Sequence, residues 1–446
     1  MKTFETPKHP PSQPWIAPFE SPSSPFEVPF DGKPRPTHPP HRTMRPVCFR
    51  SPSLASLPRL ATAPALRLTA PRLFLDQADN LAGPLFAGSL VPYLTFLYFF
   101  RLERNGLSET AKNGFTSLLV FVLATVVTSI VAVKGFGTTL ANVDWLHADA
   151  EQLLTLTNIV EVVGLKHTLD TFIKGRGAAD GAAAAATQPR PIPLVALVGG
   201  VAAGTIALTY SFAGGELLEH TAFLGGYGNL PEGVWTLGFS EPANALSIPT
   251  WIVHVSSLLE WLVAMGLVWR IGLASGNERW KGMTWAMIPS HTSGICACVY
   301  HLFYNAPSVA YIVLLQAFFT FLGNCTLAFA SYRLAVSNGW TLRAALGRAD
   351  DSGDVAPLPA ATPSAATVQA VADAVPEAPT ALLTVFAWTV ATSYVIKYGE
   401  TLLPFTIDDA VAPYAAAVLI GVPTALNMWK WSQRSQPGAE SFDGLI

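Results

Sequence analysis

Four residues able to bind or relay something sit inside long apolar runs: His254, Glu260, His291 and His301. Neutral imidazole can ligate a haem iron or the magnesium of chlorophyll, and a buried Glu–His pair can relay protons or hold a polar headgroup. Such groups are costly at membrane depth unless they pair with each other, line a cavity or hold a ligand.

Their spacing is ordered. His291, Gly294, Cys298, His301 and Asn305 recur at steps of 3, 4, 3 and 4, which sets them along one side of a helix. Gln316, Thr320 and Asn324 follow at i, i+4 and i+8, with Gly323 beside them. His254, Ser256, Ser257 and Glu260 share half of another circumference. Glu151, Thr155 and Asn158 stripe a third helix, just after the segment Gly137–His147. At about 1.5 Å per residue, depth pairs His254 with His301 and Glu260 with His291. Small and polar residues on one face also suit plain helix packing through interhelical hydrogen bonds.

The elements that carry these residues are membrane spans. Half of the chain is hydrophobic, 13% is charged and the mean hydropathy is +0.37, against about 25% charged residues in an ordinary soluble domain. A span needs about 20 apolar residues, with 17 acceptable. Nine runs qualify or nearly do: 84–100, 114–133, 149–165, 191–213, 248–269, 283–304, 308–330, 381–396 and 411–429. The run at 149–165 carries Glu151 and Glu161 and is the weakest. Counting it puts fifteen of the seventeen lysines and arginines beyond Leu75 on one side of the membrane, as the positive-inside rule requires. The fold class expected is all-α, a polytopic bundle of about nine spans with its C-terminus on the basic side.

The N-terminal 75 residues differ in character. Residues 1–43 are proline-rich and aperiodic, which reads as disorder. From Met44 onward the chain is rich in Arg, Ser, Thr and Ala and has no acid before Asp76, the composition of an organelle transit peptide. Met44 is then the expected true start. Modules follow at 76–174, 191–345 and 380–434, divided by Ala/Pro-rich linkers at 175–190 and 346–379, with a tail at 435–446. The cysteines give no disulfide framework, no Cys/His metal spacing appears, and no metal site is expected; Cys296 and Cys298, two residues apart, diverge on a helix. No nucleophile triad or phosphate loop appears, and the short basic loops lack the interleaved aromatics of a nucleic-acid binder.

Residues 245–336 resemble the hypothetical chloroplast reading frame family numbered forty-nine. The resemblance is carried by Leu246–Ser257 with Glu260 and Trp261, by Pro289, Cys296-Ala-Cys298, His301 and Asn305, and by Gly323–Ala328. Residues 84–166 resemble a second uncharacterised family of photosynthetic organisms, through Pro92–Tyr98 and Thr138–His147. These resemblances imply a plastid, so that the basic side becomes the stroma and the transit peptide a chloroplast one. They imply no activity.

The functional expectation is a non-enzymatic factor for assembling or maintaining photosynthetic membrane complexes, in the thylakoid rather than the inner envelope. It would touch the lipid bilayer and subunits of those complexes, and hold chlorophyll, haem or lipid on His254, His301, His291 and Glu260. Cys298, Asn305, Gln316, Thr320, Asn324, Glu151 and Asn158 complete the expected polar interior. The alternatives are a small-solute or ion transporter and a membrane enzyme acting on a lipid or isoprenoid.

Overall fold

A chain in hydrocarbon must satisfy its backbone groups internally, and a helix does so within one segment. The computed structural model describes residues 81–177, 244–347, 362–402, 410–439 and 442–444, and every regular element among them is helical. The expected span at 191–213, the transit peptide and the Met44 start lie outside the described residues.

Among the described residues, five helices are long and apolar enough to cross a membrane. They are α1 (Leu81–Phe100), α2 (Glu109–Phe136), α4 (Ile248–Ser275), α7 (Tyr311–Ser337) and α10 (Ala378–Leu402). Leu123, Val126, Val127 and Ile130 stand exposed along α2, as lipid-facing residues would. The remaining α-helices among the described residues are α3 (Asp144–Gly177), α5 (Arg279–Ala286), α6 (Ile288–Leu302), α8 (Leu342–Ala345), α9 (Ala365–Ala374) and α11 (Ala412–Arg434).

The nine-span count is therefore not reproduced, and the reasons are local. α3 is 34 residues long, but Asp144, Asp149, Glu151, Glu161 and Lys166 make it too polar to qualify. The run expected over 283–304 divides at Met287, between the eight residues of α5 and the fifteen of α6. Pro289 lies in the first turn of α6, where it is tolerated; continued upstream, its ring would clash with the carbonyl of Trp285. α11 is long enough but carries Asn427, Lys430 and Arg434. The stretch 346–379, read as a flexible linker, contains α9, capped by the Ser364 hydroxyl accepting from Thr367 N at 3.0 Å. Val371 and Val375 anchor it in the main core. In the C-terminal tail, Phe442 lies under the guanidinium groups of Arg270 and Arg434, at 3.8 and 3.5 Å.

Helices close on each other where side chains are smallest. A Cβ on Gly164 of α3 would fall on the backbone of Ala111 in α2, and one on Gly114 would meet Glu161 N at 2.9 Å. Gly323 of α7 stands equally close to Ser290 of α6. Such contacts are how membrane helices gain packing energy without a hydrophobic drive. The core then groups Phe96, Phe100 and Phe115 with Leu165, Trp269 and Trp280. It holds α1 to α5 in fixed azimuth, which aims the polar side chains of α3 and α4 at one another.

Candidate metal centre

The N-termini of α3 and α4 are stitched together by one carboxylate. Asp144, the first residue of α3, accepts from the backbone N–H of Ser247 at 3.0 Å and from the Thr250 hydroxyl at 2.8 Å. Ser247 and Thr250 hydroxyls also lie 3.0 Å apart. One helical turn beyond this stitch stand His147 on α3 and His254 on α4. Lower down, the Thr155 hydroxyl donates to Val253 O at 3.2 Å. Lys397 of α10 donates to Leu246 O at 2.5 Å, which steadies the chain entering α4.

A second stitch brings α6. Past its C-terminus, Tyr304 and Asn305 take φ values of 52° and 57°, the left-handed region that Asn tolerates better than most residues. This turn aims the Asn305 amide at the loop before α3, where it donates to Ala141 O at 3.0 Å and Asn142 Oδ1 at 2.8 Å. His301 lies one turn back along α6.

The three imidazoles meet. Ring centres are 4.9 Å apart for His147–His254, 4.8 Å for His147–His301 and 4.9 Å for His254–His301. The last pair is stacked, with 26° between planes. One nitrogen from each ring lies within 4.8 Å of the other two. The rings are 5%, 4% and 3% exposed. His147 Nδ1, His254 Nε2 and His301 Nδ1 are buried without a hydrogen-bond partner, and buried polar atoms left in that state are uncommon and costly. Glu151 Oε1 is 3.8 Å from His147 Nε2. Cys298, a free thiol, lies one turn from His301 on α6.

Of the residues expected from spacing, His254 and His301 are brought together and Glu260 and His291 are not. Glu260 faces α3, accepting from the Ser256 hydroxyl at 2.5 Å and from Asn158. His291 Nδ1 faces the Asn427 amide of α11 at 3.4 Å. Gln316 and Thr320 serve the α6–α7 seam: Ser293 Oγ donates to Gln316 O at 3.0 Å and lies 2.7 Å from Thr320 Oγ1. The Asn324 amide donates to Ser89 O of α1 at 3.0 Å. Spacing missed His147, whose signal was a histidine and Glu151 at i, i+4 near the same membrane surface as His254 and His301.

Two family models match the chain. Residues 82–170 match "Protein of unknown function (DUF3593)" and residues 245–333 match "Protein of unknown function (DUF2499)". Over 89 residues the chain is 48% identical to a "Ycf49-like protein" of Synechocystis sp., a stretch that makes up 20% of this chain and 86% of that relative. This chain belongs to the Ycf49 family. An "Uncharacterized protein ycf49" of Cyanophora paradoxa is 36% identical over 87 residues, 20% of this chain and 85% of the relative. No solved structure matches. The DUF2499 match contains His254 and His301, whereas His147 lies in the DUF3593 match.

Proposed function

We propose that this Ycf49-family protein is a metal-handling factor of a chloroplast membrane, the thylakoid, that serves the assembly or maintenance of photosynthetic complexes. The observation that carries the reading is the convergence of three buried imidazoles, each with an unpartnered nitrogen. A bare ion suits this geometry better than a macrocycle. Two axial imidazoles on one iron need metal–nitrogen bonds of about 2 Å each in opposite directions, so the rings stand end to end. Here His254 and His301 are stacked at 4.9 Å, with His147 closing the same space.

Imidazole donors favour zinc, copper, iron or nickel over calcium or magnesium. Three protein ligands leave a fourth position open, unlike the closed four-ligand set of a structural zinc. An open position suits an ion that is taken up and passed on. The plastid setting and the photosynthetic role rest on relatives from photosynthetic organisms and on the transit-peptide composition. Purified in mild detergent, the full-length protein is expected to carry one zinc or copper equivalent by elemental analysis. Co²⁺ in its place should give the intense visible bands of four-coordinate geometry. A metal-free protein that leaves the Co²⁺ spectrum that of the hydrated ion would end this reading.

The charge asymmetry supports nine crossings with a stromal C-terminus, α3 and the α5–α6 pair each making one. Protease added from the stromal side should remove a tag placed after Arg434 and spare one inserted near Gly226. The reverse pattern would overturn the orientation.

A further inference from the structure

A second polar cluster lies on the same α3–α4 seam, deeper than the histidines. Glu161 of α3 is 1% exposed and Glu260 of α4 is 3% exposed, and each is within electrostatic reach of the other. Glu260 accepts from Ser256 through Oε1, while its Oε2 has no partner. Both oxygens of Glu161 and the Oδ1 of Asn158 are likewise buried without a partner. Asn158 is three residues before Glu161 and hydrogen-bonds to Glu260. Tyr93, which also lies near Glu161, gives its hydroxyl to Phe115 O at 2.5 Å.

Four oxygens from three buried side chains thus lack donors at one level of one helix pair. A single proton shared between the two carboxyls would give one of these oxygens a donor and leave others without one. A cation bonds several oxygens at once. We propose that Glu161, Glu260 and Asn158 form a binding site for a hard divalent cation of the calcium, magnesium or manganese class. Oxygen-only donors select such ions, as imidazole donors select softer ones. Two carboxylates also balance a charge of two, which burial in lipid demands. The proposal does not depend on the histidine site.

Manganese(II) titrated into the full-length protein in detergent, followed by electron paramagnetic resonance, tests it. One tight equivalent is expected, displaced by calcium or magnesium. Glu161→Gln and Glu260→Gln, which keep shape and remove charge, should each weaken it at least about tenfold. His254→Gln should leave it intact while losing Co²⁺ absorption, so the two sites fail or stand separately. Thermal melting checks that each variant is folded. Manganese binding that is unchanged in both glutamine variants is surface binding and overturns the proposal. So does wild-type protein that binds no manganese and instead titrates one or two protons at these carboxylates, with hydration water filling the gap.

Discussion

His254→Ala is expected to weaken metal binding at least about 100-fold, and His147→Ala and His301→Ala to do the same. Changes that only misorient a ligand cost about 10- to 100-fold, and deleting one of three donors removes more. The losses should not add, because two imidazoles no longer enclose an ion and the second deletion has little left to remove. Stability gives an independent reading. An ion present at 100 times its dissociation constant raises the stability of the form that binds it by about 2.7 kcal/mol. The melting temperature of wild-type protein should therefore rise with added zinc, and that of the three variants should not. If the histidines merely joined helices, each replacement would cost about 1–2 kcal/mol at most, and added zinc would shift wild type and all three variants equally or not at all. That outcome would sink the metal centre.

The second large effect is expected at Asp144, which touches no ligand atom. Asp144→Ala leaves Ser247 N–H and the Thr250 hydroxyl without their acceptor at a buried junction. The Thr250 hydroxyl can turn to Ser247 Oγ, 3.0 Å away, but an orphaned Ser247 N–H costs about 1–3 kcal/mol. Because His147 and His254 sit one turn beyond the stitch, metal affinity should fall about 10- to 100-fold with it. Asp144→Asn keeps a carbonyl oxygen in the same position and should restore most of both properties. Calorimetric titration with zinc and a thermal melt on the same samples separate the cases. Unchanged affinity in Asp144→Ala would show that the histidines are positioned by other contacts.

Depth and azimuth are separate coordinates, and a single sequence gives mainly the first. His254 and His301 share a depth, and the bundle also turns them toward each other. Glu260 and His291 share a depth as well, yet the first faces α3 and the second faces α11. Which side of a helix meets which neighbour depends on close approaches such as Gly164 on Ala111 and Gly323 on Ser290, and these pair residues far apart in sequence. His147 was hidden for another reason. It opens a helix whose acids, Glu151 and Glu161, read first as an obstacle to membrane crossing. Glu161 itself was weighed only as a penalty. The helical nature of the chain was legible throughout, because apolar runs of that length leave few alternatives. The break at Met287 was legible only in Pro289, whose effect in a helix depends on how close to the first turn it falls.

The imidazoles that meet at this centre descend from two different sequence families. In the Synechocystis relative the shared 89 residues are already 86% of the whole protein, which leaves room for one of the two matched segments and not for both. Such a chain offers at most two of the three rings. A complete centre there would need a second gene product, and the ion would act as a checkpoint on their meeting, loaded only when both subunits are present. In this chain the covalent link would fix that stoichiometry at one to one, and occupancy of the proposed centre would follow ion supply alone.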